Sequence, residues 1–456
     1  MKKEVLITDF TEGNVSRQLL KFAAPLFLSS MLQIVYNMVD MIIVGQKLGA
    51  VGLSAVSVGG DVSNFLTFLA MGFSNAGQVI ISQYIGADKR NQISRFIGTM
   101  FSFLIVCAAC ITVACVILRV PILRLMNTPD EAFSEALSYA TVCIIGMVFI
   151  YGYNIVSAVL RGMGDSMRPF IFISIAAVVN LVLDILFVLV FNFGSMGAAL
   201  ATVISQGLSF VLCASYILKN RERYEIKWSL RDFLHWDKRM LSRLIKLGLP
   251  MAIKNASIQF SKLFVNSWIN SYGVAVSAFA GIANKMNSTT NLISNAFNTA
   301  GSSMVGQNVG ARKYDRVKKV MLEVFKITTL IAILLSILII VFPRQIYGCF
   351  TSDTAVLAIG MKYIPIAVLI FFGSAARSGM NALINGSGNY IVNFATAICD
   401  GIILRIGLAL LFGLGFKMQH YGFWLGDALA GFTPLWIGLI FYFSGKWKSD
   451  AEIHLT

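Results

Sequence analysis

Charge is what this chain has least of. Asp, Glu, Lys and Arg make up only 13% of its 456 residues, against about one-quarter in soluble proteins. A soluble chain of this length could not cover its surface with so few polar groups, which excludes a water-soluble globule. The seven cysteines (Cys107, Cys110, Cys115, Cys143, Cys213, Cys349 and Cys399) show no paired spacing. Lying mostly in apolar stretches, they read as small buried hydrophobes rather than a disulfide or metal framework. The three histidines, His235, His420 and His454, are too scattered for a metal site, so no metal and no cofactor is expected. There is no HExxH, no GxSxG, no Walker lysine loop and no cytosolic domain for ATP, which disfavours a membrane-embedded enzyme. Acids are scarcer than bases, 22 against 37, and the net charge is +15. That balance could suit nucleic acid, but cytoplasmic loops of membrane proteins carry the same excess, so no nucleic-acid partner is expected.

What is abundant is apolar. Hydrophobic residues are 57% of the chain and the mean hydropathy is +0.75. Since a spanning helix needs about 20 largely apolar residues, there is room for roughly a dozen. Apolar runs broken by charged or turn residues place them near 17–45, 54–83, 94–118, 133–158, 169–191, 196–218, 244–270, 277–306, 320–342, 355–376, 391–413 and 420–444. The polar N-terminus carries no recognisable signal peptide. With that end placed inside, the inner segments hold 25 Lys and Arg, Arg161 and Arg377 among them, and the outer segments 5. Both termini are therefore expected in the cytoplasm. The basic stretch 219–243, with Trp228 and Trp236, reads as a cytoplasmic linker between lobes 1–218 and 244–456.

The two halves align. Leu20 to Pro25 matches Ile245 to Pro250 at a shift of 225 residues. At a shift of 224, Gly49 falls on Gly273, Phe73 on Phe297, Gln83 on Gln307, Gly86 on Gly310, Gly162 on Gly386 and Gly164 on Gly388. A period this long marks a duplicated domain rather than a solenoid. Six spans per half give both halves one orientation, and repeats of this kind place a substrate site near the bilayer midplane, which favours a carrier over a channel.

The Lys21-to-Pro25 start of the first span, the Gln-x-x-Gly-Ala-x-Lys loops at Gln83 and Gln307, and the Leu160–Asp165 loop resemble the multidrug and toxic compound extrusion (MATE) family. The resemblance covers essentially the whole chain. It implies an all-α integral membrane fold of twelve transmembrane helices, in two pseudo-twofold-related six-helix lobes around a central cleft. It also implies export of amphipathic or cationic toxic compounds by antiport, coupled to H+ or Na+, from a prokaryotic cell membrane, by a monomer in contact with membrane lipid. A lipid-linked oligosaccharide flippase of the same superfamily is the alternative, kept open by Lys254, Lys262 and Lys285.

Ionisable groups inside spans need a reason, since each costs at least ~2.5 kcal/mol to insert. Asp40 on the first span and Asp184 on the fifth lie roughly 28 and 24 Å from the inner ends of their helices. Two acids in one layer of one lobe suit a titrating site, because low dielectric and a neighbouring charge both favour the neutral carboxyl. Gln33, Tyr36, Asn37 and Asp40 share a helix face, Asn180 precedes Asp184 by one turn, and Thr202 lies at similar depth. The resemblance to the DinF-like prokaryotic branch assigns an ion site to Tyr36, Asp40, Asn180, Asp184 and Thr202, with Asn154 the nearest match to a further asparagine. Structural hydrogen bonding between helices is the bland alternative for each.

In the second half Asn255, Gln259, Lys262, Asn266 and Asn270 trace one face of the seventh span. Asn284, Asn287, Asn291, Asn295 and Asn298 trace one face of the eighth. Lipid cannot satisfy such amides, so both stripes are expected to line the substrate cleft with Gln33 and Asn37. No acid stands between Pro250 and Tyr272, so the carboxylates of sodium-coupled NorM-like members have no counterpart on that helix. Asp400, Arg405 and Asp427 are read as a neutralising structural network. Pro25 and Pro250 are candidate hinges or static bends. Asp61 and Lys285, equivalent in the repeat, are a candidate outer gate.

Overall fold

The computed structural model describes residues 5–226, 232 and 236–448. Of the basic linker, 227–231 and 233–235 lie outside the described residues, Trp228 and His235 among them, as do Lys2, Lys3 and His454. Every regular element among the described residues is helical. The chain divides into two compact units. One comprises Met1–Asp9 and Ala24–Leu249, the other Phe10–Ala23 and Pro250–Thr456.

Six helices supply the first unit: α1 (Val15–Gly86), α2 (Arg90–Leu125), α3 (Asp130–Ile145), α4 (Met147–Gly162), α5 (Met167–Asp184) and α6 (Gly194–Lys219). At about 1.5 Å per residue, α1 is far too long for one crossing of a ~30 Å core. It is broken where two spans are expected to meet, at Gly49, whose φ of 62° and ψ of −148° are non-helical. The chain does not leave the helix for a loop there; one left-handed glycine makes the turn. The span expected at 133–158 is likewise bent, by 46° between α3 and α4. α5 runs on through a π-helical turn, Ile185–Val190.

The second unit takes α7 (Lys238–Asn270), α8 (Val274–Gly310), α9 (Tyr314–Val341), α10 (Pro343–Gly348), α11 (Thr354–Ser387), α12 (Tyr390–Ile398), α13 (Leu404–Leu410), α14 (Gln419–Ala430) and α15 (Thr433–Ser444). π-Helical turns at Cys399–Ile403 and Leu411–Gly415 join α12 and α13 into one span. Eight stretches are long and apolar enough to cross a membrane, and α3 with α4 makes a ninth. The second half of α1 and the polar-striped α7 and α8 bring the number to the expected twelve. The core of this unit is aromatic: Phe279 lies 5.3 Å from Tyr347, 5.1 Å from Tyr363 and 5.6 Å from Trp424, ring to ring.

The duplication is visible in the backbone. Positive φ recurs at Gly49 and Gly273, Asp88 and Arg312, Gly164 and Gly388, and Asn192 and Lys417. Gly162 leaves no room for a side chain, since a methyl there would meet the Gln78 carbonyl oxygen at 2.9 Å. At its repeat mate Gly386 a methyl would likewise meet the carbonyl oxygen of Ser302, the mate of Gln78, at 2.7 Å. After α4, the buried Asp165 closes the loop by accepting from Tyr224 Oη at 3.0 Å. Burial and that carboxylate push the Tyr224 phenol above its ordinary value.

Both Pro25 and Pro250 are buried inside helices, and the division between units falls within two residues of each. The N-terminal stretch of α1 belongs with the second unit. There Phe10 N donates to Gln307 Oε1 at 2.8 Å, and its carbonyl accepts from Arg316 Nε at 2.8 Å. The N-terminal stretch of α7 belongs with the first unit, where Arg243 donates to Gln83, the repeat mate of Gln307. Arg377, counted above among cytoplasmic loop charges, sits instead inside α11, ten residues before its end.

Candidate functional site

α1, α5 and α6 bring the expected residues of the first unit together. Tyr36 and Asp40 are one turn apart on α1, so they share a face. Asp184 ends the regular part of α5, where the π-helical turn widens the helix; such turns recur at functional sites. Asn180, a turn earlier, points the same way. Asp40, Asn180 and Asp184 are all buried, Asp184 completely at 0% exposure. The two carboxyls lie within electrostatic reach of one another. Thr202 Oγ1 on α6 donates to Asp40 Oδ2 at 3.5 Å.

What this cluster lacks defines its chemistry. Asp40 Oδ1, both Asp184 oxygens and both amide atoms of Asn180 are buried without a hydrogen-bond partner. Among the described residues no Lys, Arg or His pairs with either acid. Two adjacent carboxylates in an apolar interior repel each other unless a cation joins them. A proton carried by one and accepted by the other would satisfy both. A bare alkali cation would find only oxygen donors here, the hard ligands such ions prefer. Beside the acids lies a small pocket lined by Tyr36, Asn180, Thr202, Ser205 and Gln206 among others.

Two contributors escaped the sequence reading. Gln206 Nε2 donates to Tyr36 Oη at 3.2 Å; the signal for it was its place one turn beyond Thr202. Tyr139, buried on α3 and within electrostatic reach of both acids, carried no local signal. Asn154 does not join the cavity lining, for its side-chain amide donates to the Ile150 carbonyl of its own helix at 2.8 Å. Gln33 is half-buried and Asn37 exposed. Asp61 and Lys285 lie on different units, each exposed on its own.

In the second unit the amide stripes are partly exposed and partly packed, and Asn298 Oδ1 accepts from Asn385 Nδ2 of α11 at 3.4 Å. Asn255, Asn266, Asn287 and Asn291 are half-buried, and Gln259 and Asn284 are exposed. Within the unit sits a charged cluster. Asp400, in the π-helical turn after α12, accepts from Arg377 Nη2 at 2.5 Å and from Arg405 Nη2 at 2.9 Å. Arg405 also donates to Asp427. The network expected of Asp400, Arg405 and Asp427 is present, with Arg377 as a fourth member. Lys254 and Lys262 of α7 lie within electrostatic reach of it.

Two copies of a six-span unit with ionisable groups buried inside them define a membrane transporter of the duplicated-repeat class. The family is MatE. Its model matches the chain twice, over residues 25–186 and 250–411, and the chain belongs to it. The probable multidrug resistance protein YpnP of Bacillus subtilis is 30% identical over 97% of this chain and 98% of its own. YoeA of the same organism, also a probable multidrug resistance protein, is 29% identical over 99% of each. Among solved structures, a MOP superfamily transporter from Pyrococcus furiosus has a TM-score of 0.88 at 22% identity, covering 100% of both chains. An outward-facing multidrug resistance MATE family transporter has a TM-score of 0.89 at 21% identity, covering 99% of this chain and 100% of the other. Both share the fold.

Proposed function

We propose that this transporter exports amphipathic and cationic toxic compounds by antiport, driven by protons, with Na+ the second candidate, acting at Asp40 and Asp184. The buried carboxyl pair with no basic partner carries the reading, because such a pair needs a cation to be stable and can release it when its surroundings change. The names of the Bacillus relatives support the substrate class. In the cycle we envisage, substrate is taken up from the cytoplasm or inner leaflet. Cation binding at Asp40 and Asp184 then alters the α1 and α5 faces and favours the state that releases substrate outward. Pro25, which removes a backbone donor within α1, gives that helix a place to bend.

Reconstituted vesicles with an imposed proton or sodium gradient test this directly. Asp40→Asn and Asp184→Asn should each abolish gradient-driven efflux of a cationic dye while leaving expression and folding intact. Undiminished efflux in both variants would rule the assignment out, and dependence on a sodium gradient alone would replace H+ with Na+.

A further inference from the structure

In the second unit the positions equivalent to the acid pair carry no acid. Across the later helices the repeat register is 225 residues. Asn192 and Gly194, both with positive φ, recur as Lys417 and Gln419, and the two family matches begin and end at that spacing. In this register Asp40 and Asp184 become Val265 and Ala409, while Asn37, Asn180 and Thr202 become Lys262, Arg405 and Asp427. Where this layer holds two acids in one half, it holds two cations and one acid in the other.

The cluster is not internally neutral. Among the described residues, Lys254, Lys262, Arg377 and Arg405 share Asp400 and Asp427, a formal excess of two positive charges. Each Asp400 oxygen accepts from one guanidinium group, and Lys254 Nζ donates to Asn381 Oδ1 at 2.6 Å. Lys262 is the member left over. Among the described residues it makes no hydrogen bond or ion pair, although it lies within electrostatic reach of Asp427, Arg405, Arg377 and Asp400. The Nε atoms of Arg377 and Arg405 are buried and also lack partners, and the Arg405 side chain is only 3% exposed. The cluster reaches the surface of its unit through Lys262, which is half-buried, and through Arg377 and Asp427, which keep 15% and 20% of their side-chain exposure.

Unpaired buried cations are expensive, and a neutralising partner removes most of that penalty. Guanidinium forks match oxyanions, and a lysine adds a mobile point charge. The next residue along α7, Leu263, is 71% exposed, so a charged head bound at Lys262 would have apolar surface on the adjoining face. We propose that Lys262, backed by Arg377 and Arg405, binds the oxyanion head group, phosphate or carboxylate, of an amphiphilic ligand. The proposal deepens the amphiphile-export reading but is independent of which ion drives it.

Calorimetric binding to the purified full chain in a neutral detergent tests it, with dodecyl phosphate and inorganic phosphate as separate probes. Saturable dodecyl phosphate binding is expected, weakened about tenfold or more in Lys262→Gln, as loss of a charge-assisted contact implies. Lys262→Arg should largely restore it. Saturable inorganic phosphate binding with the same Lys262 dependence would support the oxyanion site and identify a free anion as its source. No saturable binding of either probe, or equal affinity in wild type and Lys262→Gln, overturns the proposal. Binding is measured with no imposed ion gradient, so this result and the gradient-driven efflux result can fail separately.

Discussion

Thr202 shows how much a single side chain contributes at the first-unit site. Among the described residues it is the one hydroxyl that donates to Asp40, at a long 3.5 Å, and the remaining oxygens of the two acids have no donor. An ion or proton held there competes with very little. Thr202→Val keeps the volume and removes the donor, which should change the binding free energy of the driving ion by about 0.5–1.5 kcal/mol. We expect a severalfold shift in the ion concentration for half-maximal efflux, with the maximal rate preserved. An unchanged ion dependence would place Thr202 outside the site. The acids, Tyr36, Asn180 and Thr202 were all legible in the sequence because polar residues in a spanning helix stand out. Gln206 was half-legible through its spacing from Thr202. Tyr139 was not, because an aromatic residue in an apolar helix looks like core.

At the scale of an element, α1 carries two irregularities with different causes. Gly49 supplies a left-handed turn between two crossings, which a glycine permits without steric strain. Pro25 breaks the backbone ladder inside a crossing and keeps it helical. Pro25→Ala should restore the missing hydrogen bond and leave thermal stability equal or slightly higher, yet reduce efflux. Full efflux in that variant would reduce the proline to a static bend. The π-helical turns follow a similar logic. Those at Ile185–Val190 and Leu411–Gly415 occupy equivalent places in the repeat, whereas Cys399–Ile403 has no counterpart and holds Asp400. None was legible beforehand, since hydrophobic periodicity does not distinguish a π turn from an α turn.

At the scale of the whole molecule, the chain is sorted into units by contact rather than by order. Residues 10–23 belong to the second unit although the first unit follows them directly. Phe10 anchors this arrangement. Its side chain is 1% exposed, its ring lies 5.1 Å from that of Phe22, and its backbone meets Gln307, Asn308 and Arg316. Phe10→Ala should cost about 3 kcal/mol by loss of buried area and the cavity left behind. Thermal unfolding in detergent should show the transition several degrees lower. An unshifted transition would show that the N-terminal segment adds nothing to the second unit.

By itself the sequence determined the membrane class, the twelve crossings, the duplication and the placing of Asp40 and Asp184 in one half. These follow from composition, run length and a constant offset, all of which are properties of the chain read in one dimension. Tertiary structure decided which polar residues meet. It brought Asp40 and Asp184 together, turned Asn154 onto its own helix, and moved Arg377 from a supposed loop to the side of Asp400. It also left Lys262 without a partner in a cluster rich in cations. Contacts between helices depend on rotation and bend at each crossing, and a shift of one residue turns a side chain by about 100°. That angle is set by packing across the whole unit, which no local pattern encodes.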